Sequence, residues 1–179
     1  MKYYIVALFD KDSYKTITPI QKNISKKFRA NRNSPQPYIT LEVLENPNMD
    51  KLYSIVEKVI KPYKKFKVEL CNDVSINEAQ KTVNLSILNE GYIKKISRNL
   101  NDTLALHGVH TKDGINNLSI SLGNVNYSNK ERKYSNDIAC DLIRKDGKNL
   151  TLKIDSFEVW KISNNRKETP IKSYELKTF

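Results

Sequence analysis

The sequence predicts an α+β fold, on three observations. Strand-like segments come in neighbouring pairs, at 66–70 with 82–88 and at about 150–161 with 171–178, and helix-like segments lie between other strands. Successive strands of this kind pair antiparallel, which points away from a doubly wound parallel sheet. The order strand, helix, loop, polar-x-polar strand also occurs twice, once in each half, and reads as an internal duplication. At 179 residues the chain is long enough for one domain with a sizeable core or for two small lobes packed as one unit, and residues 1–179 are expected to form a single two-lobed body.

Residues 3–9, YYIVALF, form a continuous apolar run that suits a strand buried on both faces. Thr18-Pro19 has the form of an N-cap followed by a first-turn proline. Ile20, Ile24 and Phe28 recur at near-helical spacing, which predicts a helix over 18–29. A basic loop from Arg29 to Pro37 then delivers the chain into the first motif strand, 37–43, and brings Arg29 and Arg32 close to its polar face. Asp50 is expected to cap a second helix, whose Leu52, Ile55, Val56, Val59, Ile60 and Tyr63 make an apolar stripe suited to the core.

Phe66–Leu70 alternates as a strand, residues 71–81 read as a polar connection, and Thr82–Leu88 supplies another strand. A third helix is predicted over 90–106, with Ile93, Ile96, Leu100 and Leu104 facing inward and Gly108 able to end it. The loop from His107 to Asn116 leads into the second motif strand, 117–123. Beyond it, residues 129–133 (NKERK) form a charged loop, and Tyr134, Ile138 and Leu142 mark a short helix ending near Gly147. A polar turn from Ser163 to Pro170 joins the two closing strands.

The two motif strands organise the chain. In Pro37-Tyr38-Ile39-Thr40-Leu41, Ile39 and Leu41 point to a core while Tyr38 and Thr40 share the opposite face; in Asn117-Leu118-Ser119-Ile120-Ser121-Leu122, Ser119 and Ser121 do the same. Each presents polar-x-polar. The pattern by itself also fits two half-buried strands with their polar faces in solvent.

Composition narrows the class. A hydrophobic fraction of 39% and a charged fraction of 28% suit a soluble globular protein, and no apolar run approaches the ~20 residues that span a bilayer. The opening MKYYIVALF is broken by Asp10 with no small-residue cleavage site behind it, so it reads as a buried strand and a cytoplasmic location is expected. Cys71 and Cys140 stand apart from each other and from any histidine cluster, which argues against a disulfide scaffold or a zinc site. No Gly-rich phosphate loop or nucleophile elbow is present, and no cofactor is expected. Thirty-one basic against twenty acidic residues give a net charge of +11, which favours nucleic acid, nucleotides or anionic surfaces as partners. The same surplus is also compatible with a merely solvated surface.

With these residues in place, the chain resembles the 2H phosphoesterase superfamily, the LigT-like or 2′,5′ RNA ligase-like proteins. The resemblance runs from YYIVALF through Pro-Tyr-Ile-Thr-Leu and Leu-Ser-Ile-Ser-Leu-Gly to the terminal Phe157-Glu-Val-Trp160-Lys-Ile162 strand. It implies two pseudo-symmetric lobes with antiparallel-rich sheets flanking a central cleft and helices outside. Each lobe of the family carries a histidine, an apolar residue and then Thr or Ser on an inner strand. Here Tyr38 and Ser119 stand where those histidines would be, and Thr40 and Ser121 keep the hydroxyl positions that hold a phosphate in the family.

The departure changes the expected chemistry. The family's imidazoles exchange protons with a phosphodiester near neutral pH, whereas a phenol titrates near pH ~10 and an alcohol far higher. The leading expectation is therefore a degenerate 2H cleft that binds a nucleotide, a cyclic oligonucleotide or an RNA end without hydrolysing it. Its ligand contacts would be Tyr38, Thr40, Ser119 and Ser121, with Arg29, Arg32, Lys130, Arg132 and Lys133 nearby. One biological form is a sponge that sequesters a cyclic oligonucleotide signal, as a phage uses against host defence. Two alternatives stand beside it: an atypical phosphodiesterase using His107 or His110, the chain's two histidines, and a protein-interaction scaffold built on the old fold.

Overall fold

The apolar N-terminal run becomes a central strand. In the computed structural model, which describes residues 1–30, 36–78, 80–88, 90–111, 118–125, 144–145 and 148–178, β1 (Lys2–Phe9) pairs with β2 (Tyr38–Glu45) on one side and β8 (Thr151–Ile162) on the other. Flanked on both edges, it has five consecutive buried residues from Ile5 to Phe9. The remaining strands of this sheet are β3 (Phe66–Asn77), β4 (Thr82–Ile87), β5 (Ser119–Asn124) and β9 (Glu168–Glu175). Their order is β1-β2-β5-β4-β3-β8-β9, and because β8 also pairs with β1 the ladder returns to its first strand. Among the described residues every pairing between these strands is antiparallel, in keeping with the α+β class. A small ribbon, β6 (Arg144–Lys145) with β7 (Lys148–Asn149), stands outside this sheet.

The helices bury the apolar side of the sheet. Helix α1 spans Lys11–Lys27, earlier than the 18–29 expected from Thr18-Pro19. The cap is Asp10, whose carboxylate accepts from the Ser13 N–H at 2.8 Å, and Pro19 lies inside the helix. The helix start is set by burial of Ile17 with Ile20 and Ile24, and by the Ser13 hydroxyl accepting the Lys153 N–H of β8 at 2.8 Å. Helix α2 spans Met49–Ile60 and is capped by Asn48 rather than Asp50, which sits in the first turn. Helix α3 spans Gly91–Leu106 and ends at Gly108, whose φ of +70° suits a residue without a Cβ.

Another expectation changes at β3. Residues 71–77, read as part of a polar connection, continue the strand past an irregularity between Leu70 and Val74, and Val74, Ser75, Ile76 and Asn77 pair with β4. Val74 and Ile76 pack against the core from there. Tyr134, Ile138, Leu142 and Gly147, which marked the expected short helix, lie outside the described residues, as does Cys140. Among the described residues no helix is long and apolar enough to cross a membrane.

The main core lies between the helices and one face of the sheet, and includes Ile39, Leu41, Leu118, Ile120 and Leu122 from the two motif strands together with Phe157. The opposite face of the sheet carries the site.

Candidate functional site

The two motif strands meet. Tyr38 lies directly opposite Ser121 and Ile39 opposite Ile120 across the β2–β5 ladder. Opposed residues of an antiparallel pair point to the same face, so the two polar-x-polar segments form one patch. The patch extends to the next strands, since Ser121 is opposite Asn84, Ser119 opposite Ser86 and Asn124 opposite Thr82 on β4, and Asn84 is opposite Ser75 on β3. A transverse row Tyr38–Ser121–Asn84–Ser75 results. Thr40 lies two residues to one side of this row and Thr82 two residues to the other.

Local structure fixes where β2 enters. The Tyr14 hydroxyl of α1 donates to the Pro37 carbonyl at 3.1 Å and accepts from the Phe9 N–H at 3.3 Å, tying β1, α1 and the first motif strand together. On β5, the Gln21 side chain of α1 donates to the Leu122 carbonyl at 2.8 Å. One helix therefore holds both motif strands.

The patch is more enclosed than an outward-facing strand surface. Tyr38, Thr40 and Ser121 are only 2%, 5% and 4% exposed, and Thr82 and Asn84 are as deeply buried. Tyr38 belongs to a second small cluster with Val6, Leu8 and Trp160, packed by Tyr4 and Ile162, and its ring centroid lies 4.8 Å from that of Trp160. The cover arises because alternate residues of β1 and β8 send Tyr4, Val6 and Trp160 to this same face. Ser119 and Ser86 are half-buried and Ser75 is exposed, so solvent reaches the patch along that rim.

Its electrostatics follow from the enclosure. Burial raises the Tyr38 phenol above its ordinary value, Glu168 and Tyr4 raise it further, and a hydrogen bond with Ser121 opposes them. Burial likewise raises Tyr4, with Glu168 adding to the rise and Arg166 countering it. Glu168 accepts from the Asn124 amide at 3.3 Å, which puts a carboxylate at the Thr82 end of the patch. Beyond Tyr4 lies a cavity of about 440 Å³ whose lining includes Lys2, Tyr4, Glu45, Gln80, Ile162 and Arg166.

Three buried oxygens of the patch, Thr40 Oγ1, Thr82 Oγ1 and Asn84 Oδ1, have no hydrogen-bond partner. Thr40 was marked by the motif; Thr82 and Asn84 were not, although Thr82-Val-Asn-Leu-Ser carries the same alternation. Of the basic residues expected nearby, Arg29 is exposed at the end of α1 with a φ of +49°. Arg32, Lys130, Arg132 and Lys133 lie outside the described residues. His107 caps the C-terminus of α3, and it and His110 are exposed. The next residue, Thr111, bridges to Leu44, six residues along β2 from Tyr38 and so about 20 Å away. No group of three or more potential metal ligands occurs among the described residues.

No protein-family model matches the chain, and no curated protein sequence does. Solved structures do. The chain is similar to LigT of E. coli complexed with 3′-AMP, at 16% identity and a TM-score of 0.64 over 98% of this chain and 97% of that one. TT0787 of Thermus thermophilus gives 12% identity and a TM-score of 0.64 over 99% of both chains. Usb1 of Kluyveromyces marxianus gives 13% identity and a TM-score of 0.53, covering 95% of this chain and 98% of that one. LigT has also been crystallised with ATP, NADP+ and phosphate.

Proposed function

We propose, for a chain that carries the LigT-like 2H phosphoesterase fold, that the polar patch binds a nucleotide or an RNA-end phosphate and holds it without cleaving it. The observation that carries this reading is the buried, unpartnered Thr40 hydroxyl beside the Tyr38–Ser121 pair. A buried hydroxyl without a partner loses about 1–3 kcal/mol relative to one that is satisfied, and a phosphate oxygen can accept its proton. Ser121 and the half-buried Ser119 add two hydroxyls on the same face. The ligands crystallised with LigT, 3′-AMP, ATP, NADP+ and phosphate, all carry such a group and support the ligand class.

Cleavage needs a group that exchanges protons near neutrality. Tyr38 is pushed further from that range by burial and by Glu168, and serine titrates higher still. His110 adjoins Thr111, which meets Leu44 about 20 Å along β2 from Tyr38, and His107 lies at the end of α3. Retention without turnover also suits a sponge for a cyclic oligonucleotide signal, the more specific form of this reading.

Isothermal titration at low salt against inorganic phosphate, 3′-AMP, RNA ends and cyclic di- and trinucleotides tests the proposal. Binding that weakens by about 1–3 kcal/mol in Thr40→Val and Ser121→Ala is expected. Binding to no member of the panel sinks it. Incubation with a 2′,3′-cyclic nucleotide addresses turnover, and product that disappears in a His107→Ala, His110→Ala variant would establish the phosphodiesterase reading instead.

A further inference from the structure

The unpartnered oxygens are not all of one kind, and they are too widely spread for one phosphate. Thr40 and Thr82 lie at opposite corners of the patch, two strands apart across the sheet and four residues apart along it. That is roughly 16 Å between their Cα atoms, far beyond what a single phosphate with ~2.7 Å hydrogen bonds can bridge. The Asn84 carbonyl oxygen lies between them. It only accepts, so an ionised phosphate, which also only accepts, leaves it unsatisfied.

Glu168, held by Asn124 opposite Thr82, brings a carboxylate to the β4 end, where it favours a group bearing N–H or O–H, and its field reaches Tyr38 as well. The Thr40 corner, on β2, is the corner the preceding proposal assigns to phosphate. The 440 Å³ cavity adjoins this end through Gln80, two residues before Thr82, although neither Thr82 nor Asn84 is part of its lining.

We infer that β4 supplies the second half of the ligand site: Asn84 and Thr82 receive the sugar or base of a ligand whose phosphate Thr40 holds, so the site selects nucleotides over inorganic phosphate. This rests on the proposed phosphate-binding role of the patch and names what lies next to the phosphate. Asn84 accepts from a ribose hydroxyl or from an amino or imino N–H of the base, and the Thr82 hydroxyl adapts as donor or acceptor. Access is from the Ser75 rim, next to Asn84 in the transverse row.

The test is titration of the full chain with 3′-AMP and with inorganic phosphate. The wild type is expected to bind 3′-AMP more tightly, and Asn84→Leu to lower the ratio of the two affinities about tenfold, the size of one hydrogen bond. A thermal melt of the unliganded variant separates this from structural damage. Removing an unpartnered buried oxygen leaves stability equal or higher, whereas a structural asparagine would lose it. Should Asn84→Leu not fold, the near-isosteric Thr82→Val is expected to lower the same ratio in the same direction. An unchanged ratio, or equal affinities for both ligands in the wild type, overturns the inference alone. A wild type that binds neither ligand overturns the phosphate site as well.

Discussion

Glu42 makes stability depend on pH in a direction opposite to that of a salt-bridged carboxylate. It is 1% exposed on β2, two residues from Thr40 but turned to the α3 side, where Ser97 donates to one oxygen at 3.5 Å and Asn101 to the other at 3.4 Å. Burial pushes its carboxyl up from 4.5 to about 7, with the two hydrogen bonds working against the rise. Between those values the folded chain keeps a proton that the unfolded chain has released. Stability is therefore highest below about pH 4.5 with respect to this group, falls as pH rises toward 7, and levels off above it. At 1.36 kcal/mol per unit the whole effect is about 3 kcal/mol. Glu42→Gln keeps the shape and one accepting oxygen without the charge. Urea unfolding of both proteins from pH 5 to 8 is expected to show curves that diverge with pH, the gap growing by about 2.5 kcal/mol in favour of the variant. For a chain of this size that corresponds to roughly 5–10 °C in Tm. Parallel curves would refute the argument, because every other titrating group is common to both proteins.

Other outcomes follow from features of the fold. Thr40→Val is expected to raise the Tm of the unliganded chain while weakening phosphate binding; a lower Tm would mean that the hydroxyl is satisfied in solution. Pro19→Ala restores an N–H inside α1 and is expected to stabilise by up to about 3 kcal/mol in a denaturant titration, and no gain would mean that the helix bends to suit the proline. Phe157→Ala empties a fully buried site in the main core and is expected to cost about 3–5 kcal/mol, with a cost below about 1 kcal/mol contradicting the packing.

Periodicity made much of the fold readable in the sequence. The stripe Leu52, Ile55, Val56, Val59 and Ile60 is buried as a unit, and so is the stripe Ile93, Ile96, Leu100 and Leu104. Where reading failed, a local signal competed with a tertiary one. Thr18-Pro19 imitates a helix start, but Ile17 and the Ser13 link to β8 extend α1 back to the Asp10 cap. Val74 and Ile76 continued the alternation of β3 inside a stretch whose polarity suggested a loop. The motif alternation correctly set Tyr38, Thr40, Ser119 and Ser121 on one face. It could not reveal that Trp160, from the far end of the chain, would cover Tyr38, nor that β4 would bring Asn84 alongside Ser121, because both depend on which strands become neighbours.

Among the described residues the ladder between β2 and β5 has two registered pairs, whereas β1 and β8 share eight. The join between the motif strands is thus a short seam in the seven-stranded sheet. A molecule gripped by Thr40 on one side and by Ser121 or Asn84 on the other would lie across that seam like a clasp. Occupancy would then register as stiffness, with the backbone amides of Ile39 and Ile120 exchanging hydrogen more slowly even if no atom moved appreciably.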